Sequence, residues 1–414
     1  MRYHLPRNVS HVYPIDRYGI HMILAGKDVP SHFCYSTPNG PAVFEQSQLN
    51  EFLPTNRSEA LSGAASGIAY GSYLSAIEHF LAEHEADLAQ ALEKCLSGNS
   101  LFVEEVEIIA EKHGSDYHPA RVNVLYADRK ISFVVNVALS ERGKQRLLGD
   151  FFVLRSLAGY IRPSFVPEAY FSGSTMIESA DGPVFAEMFL AEWFDNFHEF
   201  HLKESDEGVP GLELWDFSQG CRMMSRVEEE EIYRQAAYIL TWYYNPGSFE
   251  EIFPWHHASG DFVVRSDHST IDVRLITVRQ YASRLEIPED ARPDPLQPLL
   301  FFLANLTVRM RLDRFDGIGN VAFAGSHAVH ACVRGFMDAL QVKCAQGFCD
   351  PELIREFFRA VRELSPGDLA EIFSCVVGAY HEDAPDVPII LANLPDHILA
   401  VYFALQEIAA HPSA

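Results

Sequence analysis

Residues 131–139 read Ile-Ser-Phe-Val-Val-Asn-Val-Ala-Leu, apolar at nearly every position. A strand with apolar side chains on both faces must be covered on both, so this segment predicts the centre of a sheet. Two stretches before it, Phe102 to Ile109 and Ala120 to Tyr126, also read as strands. Val122, Val124 and Tyr126 alternate with polar neighbours, and residues 127–130 suit a hairpin turn. A helix is expected over 143–158, where Leu147, Leu148, Phe151, Leu154 and Leu157 share one side. Two more strands are expected at 168–172 and 184–192.

On either side of this block the pattern changes. Residues 1 to about 65 are rich in Pro, Ser, Asn and Gly and read as an irregular arm. Leu74, Ile77, Phe80, Leu81, Leu88 and Leu92 then recur at helical steps up to Cys95. Beyond Trp193 the chain turns mostly helical. A helix over 228–244 opens on four glutamates, which suit the positive end of its dipole and need no other role. Trp242, Tyr243 and Tyr244 read as core. A short strand pair (262–265 and 271–278) and a Pro-rich break precede five helices, at about 299–313, 326–341, 351–363, 367–379 and 395–409. The Gly-x-Gly of residues 314–320 reads as a helix-ending turn. Arg309, Arg311 and Arg314 beside Asp313 and Asp316 read as a salt-bridged helix end.

At 414 residues and 48% hydrophobic content the chain supports more than one structural unit. A formal net charge of −25 repels phosphate backbones and anionic lipid, so nucleic acid and membrane are poor partners. No apolar stretch approaches the roughly 20 residues of a membrane helix, and residues 1–10 hold no apolar run. A cytoplasmic protein with reduced, mostly buried thiols is expected. Only Cys344 and Cys349 lie close in sequence, at a spacing foreign to zinc knuckles and redox pairs.

Three strands, a helix, two strands, a linker (AEMFLAEWFDNF), a long helix, a polar loop (PWHHASGDF) and a small hairpin follow in order. Over about residues 100–341 this order resembles the protein-kinase-like superfamily, most of all its aminoglycoside and choline phosphotransferase branch. The resemblance implies an α+β protein with a small antiparallel sheet lobe (100–193) and a large, mostly helical lobe (194–414). Residues 1–99 would form an N-terminal extension. It also implies ATP and Mg²⁺ as cofactors, and a nucleotide or small-molecule ligand held between the lobes against a hinge near Glu192. A homodimer or a protein partner is a further expectation.

Matched residue by residue, the family's motifs are largely replaced. Asn136 stands where the phosphate-holding lysine belongs, and Asp150 where the helix glutamate belongs. The loop between the first two strands offers Gly114 alone. His256 falls at the catalytic base, Asp261 at the first metal ligand and Thr277 at the second. A histidine with a pKa near 6.5 is a competent base at neutral pH, Asp261 could hold a metal through oxygen, and Arg279 could supply the charge that Asn136 lacks. The same cleft could bind a ligand, or none, in a catalytically inactive scaffold. A third reading makes His256, His257 and Asp261 the ligands of a metal-dependent enzyme, with His268 further on, provided the loop bends. A fourth leaves the histidines hydrogen-bonded in a polar loop.

Overall fold

The computed structural model describes residues 22–24, 27–37, 40–54, 65–96, 103–111, 117–126, 129–160, 162–204, 210–216, 219–255, 258–267, 270–285, 294–381 and 383–410. The chain divides into two compact units, residues 1–148 with 169–193, and residues 149–168 with 194–414.

The first unit is built on a seven-stranded sheet. In chain order its strands are β1 (Ser31–Tyr35), β2 (Ala42–Val43), β3 (Val103–Ala110), β4 (His118–Tyr126), β5 (Arg129–Ala138), β6 (Ala169–Ile177) and β7 (Val184–Glu192). In space they run β6-β7-β5-β4-β3-β1-β2. The segment 131–139 thus lies inside the sheet, between β7 and β4, with Phe133, Val135 and Val137 fully buried. The sheet is mixed, where the sequence suggested an antiparallel one. All its pairings are antiparallel except β3 with β1, because residues 31–43 add two strands beyond the meander.

Residues 70–96 fold as two helices, α1 (Tyr70–Glu83) and α2 (Glu85–Leu96), where one run was expected. Leu74, Ile77, Phe80, Leu81, Leu88 and Leu92 are all buried against the sheet, in one core with Val106, Val122, Val124, Phe133 and Leu190. The break falls at His84, whose ring stacks on Phe171 at 5.2 Å. A Cβ on Gly173 would lie 2.6 Å from that ring, so the ring would have to shift if this β6 position were not glycine. Within this core Glu78 on α1 is 4% exposed and accepts a hydrogen bond from the Ser31 hydroxyl. Burial pushes its carboxyl up to about 7, against the lowering effect of Ser31.

Helix α3 (Glu141–Tyr160) crosses the boundary between the units. The second unit continues with β8 (Phe200–Glu204), β9 (Pro210–Leu214), β10 (Arg222–Met223), α4 (Arg226–Tyr243), β11 (Glu250–Ile252), α5 (Ala258–Asp261), β12 (Phe262–Ser266), β13 (Ile271–Leu275) and β14 (Tyr281–Ser283). There follow α6 (Leu296–Met310), β15 (Leu312–Arg314), β16 (Val321–Phe323), α7 (His327–Ala345), α8 (Pro351–Glu363), α9 (Pro366–Gly378) and α10 (Val387–Ala410). Its centre is the crossing of α4 and α7. A Cβ on Gly335 would sit 1.9 Å from the Arg234 carbonyl oxygen, so only glycine lets the two helices approach this closely. Trp242, Tyr243 and Tyr244 are core residues, each 2% exposed or less.

Several local expectations are corrected here. The opening glutamates of α4 do more than meet the dipole. Glu228 closes a capping box with Ser225 and binds Arg222 through both oxygens. Glu229 is buried, accepting from the Leu212 amide and pairing with His327 at 2.8 Å. Residues 314–320 turn the β15–β16 hairpin rather than end a helix. Arg311 is buried, donating to Ala324 O and facing His397, while Arg314 donates to Gly319 O. Asp313 accepts from the Leu202 amide at 2.6 Å. Arg311 and Asp313, close in sequence, have thus found partners distant in it, His397 and Leu202.

The thiols differ too. Cys344 and Cys349 form a disulfide, because a turn through Gly347 (φ +81°) brings their Cα atoms to 4.6 Å. Cys34 and Cys332 are buried, whereas Cys95, Cys221 and Cys375 are exposed. Helix α10, at 24 residues, is long and apolar enough to cross a membrane by length and composition. It packs on α7 and α9 and carries the fully buried His397, as a core helix also would.

Candidate functional site

The polar loop singled out by its sequence sits between two nested antiparallel pairs in the second unit. The outer pair is β11 with β14, Glu251 opposite Ala282. The inner pair is β12 with β13, Val264 opposite Val273. Apolar Phe262, Val263 and Val264 are buried, as are Val273 and Leu275, which fixes the register of the inner hairpin. Helix α4 holds it in place: the Gln235 side chain accepts from the Val273 amide at 3.0 Å and donates to Ile271 O at 2.6 Å.

Nesting forces the two connecting loops, 253–261 and 276–280, to run side by side. The Phe253 amide donates to Gln280 O at 3.0 Å, and the Ile276 amide to Asp261 O at 2.8 Å. Loops 15 or more residues apart in sequence are thereby clasped by their own backbones.

Asp261 ends the one-turn helix α5 and is 0% exposed. Its carboxylate faces Arg279 across the clasp, Oδ1 to Nη1 2.9 Å. The same guanidinium nitrogen donates to Pro254 O at 3.3 Å. One arginine therefore ties both ends of the first loop to the second. Beside it Trp255 is buried, its carbonyl accepting from Arg309 at 3.0 Å, and Ser259 is 3% exposed.

The sequence-derived residues divide as follows. Asn136 and Glu192 lie in the first unit, half-buried on β5 and β7, opposite Phe189 and Phe133 respectively. Asp150, Asp261, Thr277 and Arg279 lie in the second. Asp150 is buried on α3. Thr277 is half-buried in the second loop, two residues from Arg279. His256, His257 and His268 fall outside the described residues. Among the described residues no group of three His, Cys, Asp or Glu side chains could hold a metal ion.

Two further groups of charged side chains carried no sequence signal, because their members come from separate elements. His201 is buried between Asp313 (3.6 Å) and Glu199 (3.9 Å), with Trp215 against its ring. Burial lowers its affinity for a proton, but the two carboxylates outweigh this and raise its pKa. Glu251 on β11 is buried near Arg284 and Arg309, and burial pushes its carboxyl up to about 7 against their attraction.

Compared with known proteins, the sequence matches no protein-family model and no curated protein.

Proposed function

We propose that the protein is a kinase-like scaffold, a ligand- or partner-binding protein that does not carry out metal-assisted phosphoryl transfer. The observation that carries this reading is the ion pair of Arg279 with Asp261. In the resemblance, Asp261 is the one retained metal ligand. Here its carboxylate is fully buried and its charge already met by a guanidinium at 2.9 Å. A divalent cation would have to displace that arginine from a site of low dielectric, which costs several kcal/mol. Asn136 and Thr277 add to the deficit, since neither supplies the positive charge or the second carboxylate that the transfer needs.

Element order supports the kinase-like part. The meander β3-β4-β5, helix α3, and β6-β7 with β7 returning to pair with β5 follow one another as the resemblance requires. The segments 131–139 and 262–265 lie in different sheets.

A working phosphotransferase using ATP and Mg²⁺, with His256 as base, is the second reading. It is favoured by the clasp, which brings the loop carrying Asp261 against the loop carrying Thr277. Thermal-shift titrations with ATP and GTP, each with and without Mn²⁺, separate the two. The scaffold reading expects no shift that requires both nucleotide and metal. A metal-dependent shift abolished by Asp261→Asn would establish the second reading instead.

A further inference from the structure

The turn from α7 to α8 is closed by the disulfide between Cys344 and Cys349, five residues apart in sequence. Cys34, Cys221, Cys332 and Cys375 keep free thiols, so the bond belongs to no wider cross-linked framework. A disulfide steadies a fold chiefly by limiting the unfolded chain, an effect that grows with loop length and is small for so short a span. Its consequence is therefore local. Both cysteines are half-buried, and residues 345–348 between them are exposed, which puts the bond at the surface.

The residue beside each cysteine bears on the C-terminal end of α4. Lys343, next to Cys344, is buried, and its ammonium donates to Thr241 O, Trp242 O and Tyr244 O. A helix leaves its last carbonyls without donors of its own, and this side chain meets them. Phe348, next to Cys349, is 53% exposed, yet its ring stands edge-on to the buried Trp242 at 6.0 Å. Its amide donates to Lys343 O at 2.9 Å. The end of α4 leads directly into β11, since the Phe249 amide donates to Asn245 O at 2.7 Å and the Asn245 amide to Glu250 O at 2.8 Å. One covalent bond thus holds together the two side chains that fix α4 where it enters the outer strand pair of the candidate site. The reduced form is provided for as well. Cys344 Sγ lies 3.7 Å from Asp350 O and Cys349 Sγ 3.8 Å from Leu340 O, so each released thiol has a carbonyl to donate to.

We propose that the Cys344–Cys349 disulfide is a redox-sensitive latch on the end of α4, opened by a dithiol reductant. One thiolate of the dithiol attacks a sulfur of the bond and forms a mixed disulfide, which the second thiol resolves. Two electrons and two protons pass to the protein, leaving thiols at 344 and 349, and the dithiol departs as its own disulfide. With the turn no longer closed, Phe348 leaves Trp242 more readily and the hold of Lys343 on α4 slackens. The inference does not depend on what the Asp261 loop binds.

The test treats the full, folded chain with dithiothreitol, counts alkylated cysteines by mass spectrometry, and follows amide exchange. Without the dithiol, Cys344 and Cys349 should resist alkylation; with it, both should be alkylated under native conditions. Exchange over 241–253 should quicken about tenfold on reduction, while β3–β5 in the first unit keep their rates. Reoxidation with glutathione disulfide, once the dithiol is removed, should restore the slow exchange. A chain carrying both Cys344→Ser and Cys349→Ser should exchange as the reduced protein does and ignore dithiothreitol. The proposal is overturned if the two cysteines are alkylated without reductant or only in denaturant. It is equally overturned if exchange over 241–253 is the same in the oxidised and reduced chains, or if dithiothreitol quickens it as much in the double variant.

Discussion

Replacing Glu78 by glutamine should change how the stability of the protein depends on pH. Glu78 is 4% exposed in the core between α1 and the sheet, and the Ser31 hydroxyl is its hydrogen-bond donor. Its carboxyl is raised from 4.5 to about 7, first by burial, with Ser31 opposing. Between those values the native state keeps a proton that the unfolded chain has released, so stability falls as pH rises. The contribution is fully present below pH 4.5 and is lost as pH passes through 7. At about 1.4 kcal/mol per pH unit, the wild type loses about 2.5 kcal/mol from this group between pH 5 and pH 8. Glutamine keeps an acceptor for Ser31 and does not ionise. The variant should therefore gain about 2.5 kcal/mol on the wild type over that interval, read from urea midpoints at a series of pH values. Glu251 titrates in the same window but is present in both proteins and cancels. A difference between the two proteins that stays constant from pH 5 to pH 8 would refute the assignment of a buried, proton-holding Glu78.

Other substitutions probe the second unit. Gly335→Ala places a Cβ 1.9 Å from the Arg234 carbonyl and must push α4 from α7. A loss of about 1–3 kcal/mol is expected, read as a lower melting temperature. Lys343→Met removes a buried ammonium that donates to Thr241 O, Trp242 O and Tyr244 O at the end of α4. Losing these charge-assisted bonds should cost about 2–4 kcal/mol in urea denaturation, and a neutral result would show that solvent can replace them. Gln235→Leu unpins the inner hairpin by removing its bonds to Val273 N and Ile271 O. Amide exchange across 262–275 should quicken, while β3–β5 in the first unit stay protected.

How much of this was legible in the sequence follows from the physics of each element. The apolar run 131–139 and the helical repeats at 74–92 state their own burial, since period and composition are local properties. The parallel partnership of β1 with β3 is not local: it joins residues 31–35 to 106–110 and leaves no trace in either segment. At the site, the Pro-Trp-His-His loop and the hairpin after it were readable. Asp261 and Thr277 were matched to metal-ligand positions only by the resemblance, and Thr277 was expected inside a strand over 271–278 that in the structure ends at Leu275. What the sequence did not reveal is that Arg279, proposed to meet phosphate, is turned onto Asp261. That choice depends on burial of the carboxylate. Glu251 and His201 were missed, and Asp313 was given the wrong partners, because each gains its partners only when separate elements pack.

The central claim is that Asp261 serves Arg279 rather than a metal, and a double-mutant cycle measures this most directly. Unfolding free energies would be compared for the wild type, Asp261→Asn, Arg279→Gln and the double variant. A buried ion pair broken from either side leaves one charge stranded, so each single variant should lose about 3–5 kcal/mol. The double variant should lose far less than the sum, with a coupling of about 2 kcal/mol or more. Additivity within about 0.5 kcal/mol would show that the two side chains act independently and would contradict the account.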